Sequence, residues 1–310
     1  MPDRGYARVG GPATPGQDSH HAFGLACVIS ASFFTSLAGI LVRLVEEADG
    51  WQLQVYRYAS FLAFILGALV WRHRGRSLQA FRDIGRPGLI AAVSLAIAFI
   101  AYIFALIETS VAKVVFIGSA SPFVAALIAW LALRERLAPA TLAAIAASVL
   151  GIGVMMAEGL DGEGPAGALL AVVSVVGYGV TLVCLRARRQ VDMLPAAALA
   201  GLLALLASAV MAPDLAISAY DLLLAVLLGV VQLGFQYVLI ALGTRHVPAG
   251  EVALLGRLQV VLAPLWVWLA LGEVPTPVTL LGGAIVVGAV LANSFASLRR
   301  ERRAAVQPGD

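Results

Sequence analysis

The chain has 310 residues, 61% of them hydrophobic and only 13% charged, and carries a formal net charge of +3. A soluble protein devotes about 25% of its residues to charge, so this composition, with a mean hydropathy of +0.93, excludes a water-soluble domain. The basic balance would also suit nucleic acid, but the positions of the arginines explain it without such a partner.

Residues 1–21 are Gly/Pro-rich, polar and non-periodic, and read as a flexible tail rather than a signal peptide. Ten apolar runs follow, at about 22–45, 51–71, 88–107, 111–133, 138–157, 166–186, 193–212, 221–243, 249–271 and 277–297. About 20 apolar residues cross a ~30 Å hydrocarbon core as helix. The expected fold is therefore an all-α polytopic membrane protein of ten transmembrane helices. The longest connection, Arg72–Pro87, is basic, and residues 298–310 form a polar, Arg-rich tail. Cys27 and Cys184 fall inside apolar runs, so no disulfide is implied.

Of the 21 Lys and Arg residues, 17 lie in the two tails or in alternate connections; the opposite connections hold none. By the positive-inside rule both tails are cytoplasmic. The remaining four, Arg43, Arg57, Lys113 and Arg257, sit within spans.

The chain also repeats itself. Trp130–Leu142 returns 138 residues later as Trp268–Leu280, and twelve of the 34 positions from Thr109 to Leu142 are identical at that offset. The rare matches carry most weight: Trp130/Trp268, Glu135/Glu273, Pro139/Pro277 and Thr141/Thr279. The first and sixth spans align at an offset of 143, pairing Gly24 with Gly167 and Arg43 with Arg186. Each half, 22–157 and 166–297, thus holds five spans, joined by an external linker at 158–165. Five is odd, so the second half enters the membrane from the other side. This predicts two inverted five-helix repeats, an architecture that binds substrate near the midplane in many secondary transporters.

The runs Ala105–Ala112, Ser121-Pro122 and Arg134-Glu-Arg136, with Gly243–Leu255 and Leu271-Gly-Glu273, resemble the two halves of EamA-type proteins of the drug/metabolite transporter superfamily. The resemblance covers roughly 22–297. It implies a ten-helix carrier that exports amino acids or other metabolites, aromatic amino acids among them, from the bacterial cytoplasm across the inner membrane. Arg57 matches a recurrent arginine of the family. Members often carry Glu-Pro where this chain has Gln259-Val260, with a proline instead at Pro264.

The polar residues inside spans are the candidates for function. Arg257 lies about 12 Å deep at 1.5 Å per residue, and an arginine at such depth must face protein or water. It could hold a substrate carboxylate or bond to backbone carbonyls of a neighbouring helix. Gln232 and Gln236, four apart, share a helix face and could bind a polar substrate or join helices. Tyr178, Tyr102 and Ser119 sit at comparable depth. With Arg257 and Gln259 these residues are expected to border one central cavity. Arg257 and Gln259 can do so together only if the helix is distorted around 257–260, which Pro264 would allow.

Pro122 should kink the fourth span and, with Pro264, Glu251 and Lys113, is a candidate hinge or gate. Glu251, in the first turn after Pro248, reads as a helix-terminal acid, and Lys113 as an interfacial snorkelling cation. Trp130 and Trp268 fit an aromatic belt.

Other classes fit less well. Proton-coupled efflux of cationic drugs wants a deep carboxylate, and the first span has none. An intramembrane enzyme lacks its parts: His20, His21, His73 and His246 are in tails or loops, and Gly118-Ser-Ala-Ser121 is not a nucleophile motif. A channel would show a ring of like charges or a filter. No metal or cofactor is expected, and the partners are a small-molecule substrate and the lipid bilayer.

Overall fold

An apolar segment in hydrocarbon must close its own backbone hydrogen bonds, and among open chains only the helix does so. The computed structural model describes residues 15–73, 77–134, 137–158, 165–187 and 194–306, and there it is helical with short connections. The first half contains α1 (Pro15–Ser36), α2 (Ala38–Arg43), α3 (Gly50–His73), α4 (Ser77–Asp83), α5 (Gly85–Glu108), α6 (Val111–Gly118), α7 (Ser121–Leu133) and α8 (Pro139–Glu158). The second contains α9 (Ala166–Ala187), α10 (Leu194–Met211), α11 (Ala219–Val226), a π-helical segment (Leu227–Phe235), α12 (Gln236–Gly243), α13 (Ala249–Leu255), α14 (Leu258–Leu271) and α15 (Pro277–Val306). Nine stretches among the described residues are long and apolar enough to cross a membrane, and the shorter α14 joins α13 to make the tenth crossing.

Three boundaries differ from the sequence reading. Residues 15–21, assigned there to the tail, are the first turns of α1, and α15 runs on to Val306 through the polar C-terminal stretch. The basic connection holds α4, whose Ala80 is buried and whose Phe81 packs on the core. The linker glycines and Glu135 lie outside the described residues.

Helix contacts come in pairs that a twofold axis relates. The third span packs on the sixth (α5 on α9) as the eighth packs on the first (α12 on α1). Spans two and seven, four and nine, and five and ten pack on their own counterparts (α3 on α10, α6 on α14, α8 on α15). Odd repeats in one chain make that axis lie in the membrane plane, so the repeats are inverted.

The broken helices repeat as well. The fourth span is interrupted at Ser119-Ala120 and the ninth at Gly256-Arg257, equivalent positions to within one residue. Each break is bridged by tighter three-residue bonds: Ala120 N–H to Ile117 at 3.0 Å, and Arg257 N–H to Leu254 at 3.0 Å. Pro122 sits in the first turn of α7, just past its break, where a missing N–H costs nothing. Pro264 behaves otherwise. The expected distortion lies upstream of it, and α14 continues through the proline unbroken. Both α7 and α14 then end on a left-handed residue, Arg134 (φ 54°) and Gly272 (φ 70°), 138 positions apart.

The left-handed conformation costs an L-residue roughly 1–2 kcal/mol and glycine almost nothing. A Cβ at Gly272 would meet no atom within 4 Å, so a substitution there reads the backbone alone. Gly272→Ala should lower stability by about 1 kcal/mol, and Arg134→Gly should raise it by up to about as much. Thermal unfolding in detergent checks both; equal melting points for Gly272→Ala and the parent would contradict the assignment.

Candidate functional site

The second span has the lowest hydropathy of the nine long ones, 1.5 against 1.9–2.7 for the others, because one stripe of α3 is polar. Gln54, Arg57 and Tyr58 are all buried there, above Phe61 and Ile65 on the same face. Arg57 is 1% exposed. Its Nη1 donates to Tyr58 Oη at 2.8 Å and its Nη2 to Gln232 Oε1 at 3.2 Å. Tyr58 Oη donates in turn to Gln54 Oε1 at 3.2 Å and its ring stacks on Phe99. Arg57 Nε and Gln54 Nε2 have no hydrogen-bond partner.

Two features of the eighth span bring Gln232 to that guanidinium. Its middle is π-helical, a rare geometry that concentrates at functional sites. Gly229, three residues earlier, lies against α3 so closely that a Cβ would stand 2.3 Å from the Arg57 carbonyl and 2.0 Å from Ser60 Oγ. Any side chain there would push Gln232 away from Arg57.

Arg57 and Gln232 wall a cavity of about 180 Å³ at the middle of the bundle. Its polar lining comes from both halves: Thr35, Tyr102 and Ser121 from the first, with Ser174, Tyr178, Gln232, Gln236, Tyr237 and Gln259 from the second. Phe99, Ala98, Val114, Val115, Gly118, Val175 and Leu233 complete the wall. Five of the seven residues expected to border a common cavity therefore meet: Gln259, Gln232, Gln236, Tyr178 and Tyr102.

The other two, Arg257 and Ser119, are not in that wall; they bond to each other. Arg257 Nη1 donates to the Ser119 carbonyl at 3.1 Å, and Ser119 Oγ turns back to Phe116 O at 2.6 Å. Of the two roles open to Arg257, the structure supplies the bond to a neighbouring backbone carbonyl. Arg257, in the break, reaches the partner break, whereas Gln259, two residues on and about 200° further round, lines the cavity. Because 119 and 257 are repeat counterparts, their contact lies at the pseudo-twofold axis.

The candidate gate residues sit at the membrane faces. Lys113 is buried rather than snorkelling: Nζ lies 3.3 Å from Glu158 Oε2, which also accepts from Thr279 Oγ1 at 2.9 Å, so α6, α8 and α15 are tied together. Glu251, at the face where α1 begins, lies 3.0 Å from His21 Nε2, and both side chains are over 40% exposed.

Sequence reasoning missed two groups. Arg57 was noted but given no site role, although the low hydropathy of its span marked it; Tyr237, Ser174 and Thr35 carried no signal beyond ordinary packing. Asp221, taken as the start of a span, is fully buried at the face opposite the start of α1. It accepts the backbone N–H groups of Glu46, Glu47 and Ala48 at 3.0, 2.9 and 2.9 Å. Its Ser218-x-x-Asp pattern, with Ser218 Oγ accepting from Asp221 N–H at 3.1 Å, is a legible capping signature. On the same face Arg43 Nε donates to Glu273 Oε2 at 2.9 Å, Arg43 Nη2 to Thr109 O at 2.9 Å, and Val111 N–H to Glu273 Oε1 at 2.9 Å. Gln52 reaches Asp214 at 2.5 Å, and Tyr56 Oη donates to Leu215 O. All but the Arg43–Thr109 bond, which lies within the first half, join the two halves across that face.

A model of the EamA-like transporter family matches residues 22–157 and again 165–295. One solved structure, described only as the crystal structure of a protein, has the same fold at a TM-score of 0.61. It is 20% identical, over 90% of this chain and 98% of that one. No curated protein matches the sequence.

The Arg43–Glu273 pair is about one-quarter exposed and carries two backbone contacts besides, so it should exceed an ordinary surface ion pair. In a double-mutant cycle of Arg43→Ala and Glu273→Ala, unfolding should show a coupling of about 1 kcal/mol or more. Additive single effects would show that the two side chains act separately.

Proposed function

Because the chain belongs to the EamA-like transporter family, a family of membrane transporters of small substrates, we propose that it exports small carboxylate-bearing metabolites, the class to which amino acids belong, by alternating access. One observation carries this reading: a fully buried guanidinium, Arg57, faces a midplane cavity with one N–H unpartnered. Guanidinium suits carboxylate through parallel N–H donors, and a low-dielectric surrounding strengthens the contact. Tyr102, Tyr178 and Tyr237 offer aromatic surface to the rest of the solute, while Gln236 and Gln259 offer amides. The cavity lies where inverted-repeat carriers bind substrate.

The arginine asymmetry supports cytoplasmic tails in a bacterial inner membrane. In that orientation the Arg43–Glu273 and Asp221 bonds lie on the external face and hold the halves together there. His21–Glu251, an exposed pair, is the weaker closure on the cytoplasmic side, beside the ring contacts of His20 and Phe23 with His246. Alternating access then amounts to rocking one half against the other about the Ser119–Arg257 contact. The breaks near Pro122 and ahead of Pro264 serve as hinges, with Glu251 and Lys113 beside the gates.

Among the described residues no Asp or Glu lines the cavity. That polarity suits neither cationic drugs nor coupling through a buried carboxylate.

Counterflow in proteoliposomes against an amino acid panel, with and without a pH gradient, tests the reading. Exchange should appear with at least one carboxylate solute, and Arg57→Gln should lower it by about tenfold or more in protein of unchanged yield and melting temperature. Full exchange by Arg57→Gln would remove the anchor assigned here. Glu251→Gln should leave flux unchanged. If it abolishes flux in folded protein that otherwise follows an imposed pH gradient, coupling runs through that acid. Gly162→Cys should react with an impermeant thiol reagent from outside and Gly75→Cys only after permeabilisation; the reverse would invert the orientation.

A further inference from the structure

The charge of the cavity narrows its substrate class. The wall holds one fixed cation, Arg57, at 1% exposure. A second, Arg257, stands at the helix breaks just outside, between the wall residues Gly118 and Ser121 on one side and Gln259 on the other. No acid among the described residues lines the wall to balance either. Three acids at the ends of the spans are engaged at the membrane faces, Asp221 by three backbone N–H groups, Glu158 by Lys113 and Glu273 by Arg43.

An α-ammonium group entering this cavity needs an acceptor, and two of the natural ones are already engaged by guanidinium groups. A helix break in a membrane carrier usually offers free carbonyls to cations. Here the Ser119 carbonyl is taken by the Arg257 guanidinium. The Gln232 oxygen is taken by Arg57. What remains is hydroxyls, the amides of Gln236 and Gln259 and the Gly118 carbonyl, which Pro122 leaves without its helical donor, all beside a guanidinium that repels a second positive charge in a medium that screens it poorly.

We infer that the cavity selects solutes of net negative charge, small carboxylates without a compensating ammonium group, over zwitterionic amino acids of the same shape. This rests on the reading of the cavity as the substrate site. Within it, 2-hydroxy acids and 2-oxo acids are favoured over neutral amino acids.

The test compares two solutes that differ in little but that charge. Leucine and 2-hydroxy-4-methylpentanoate share a carbon skeleton, with hydroxyl replacing ammonium. In counterflow with the purified full chain at neutral pH, the hydroxy acid should compete at a concentration about tenfold lower than leucine, or less. Gln259→Glu places a carboxylate in the wall and should bring leucine to parity or better, a gain that a merely damaged carrier would not show. Equal or tighter competition by leucine in the parent protein overturns the inference and leaves the carboxylate transporter reading standing. If neither solute exchanges while an uncharged solute does, in protein with normal melting, the carboxylate reading and the inference both fail. A Gln259→Glu protein that folds and still prefers the hydroxy acid tenfold also overturns the charge argument.

Discussion

Hydrocarbon offers no hydrogen bonds, so any backbone carbonyl freed by a broken helix must find its partner inside the protein. This chain breaks its fourth and ninth spans at the centre of the bundle, where that demand is hardest to meet. The bond from the Arg257 guanidinium to the Ser119 carbonyl answers it. The donor belongs to one break and the acceptor to the other, and the two residues are repeat counterparts. A contact between counterparts lies at the symmetry axis, so one bond serves both breaks there. The rest of the core is arranged around it: α6 packs on α14, and Gly118, Ser121 and Gln259, flanking the breaks, open onto the cavity.

Symmetry explains the scaffold but not the site. The two halves match in helix contacts, in their broken spans and in the left-handed ends of α7 and α14. Their polar interior does not match. The first half supplies the buried cation, Arg57, and the second supplies the amides Gln232, Gln236 and Gln259. A duplicated fold gives two equivalent frames around one cavity. Each frame is free to carry different groups into it, because lipid-facing and axis-facing packing keep the helices in place. The π-helical turn in the eighth span is the clearest case. It has no counterpart in α5, and it is what sets Gln232 against Arg57.

Charge is sorted by depth. A lone charge in hydrocarbon is costly, and the described interior charges escape that cost in distinct ways. Arg257 gives one N–H of its guanidinium to a backbone carbonyl. Lys113 and Arg43 pair with Glu158 and Glu273 near the ends of their spans. Asp221 is saturated by three N–H groups of the connection after α2. Arg57 alone of these is fully buried, faces a cavity and retains an unpartnered N–H.

Much of the molecule was legible in the residues alone. The spans followed from apolar run lengths, the internal duplication from the offset of 138, and the inverted halves from the odd number of spans in each. Gln232 and Gln236 reached the cavity as their spacing required, because a helix face is a local property. What sequence did not reveal was which partner each buried polar group would find. Arg57 and Arg257 are both arginines inside apolar spans, and depth alone favoured Arg257. Only the crossing of α6 and α14 put the Ser119 carbonyl within its reach and left the cavity to Arg57. Lys113 was misjudged and Asp221 passed over for the same reason, since their partners lie 45 and more than 170 residues away in the chain. Hydropathy and periodicity report how one helix divides its faces; partners depend on how helices meet, and that is decided by the packing of the whole bundle.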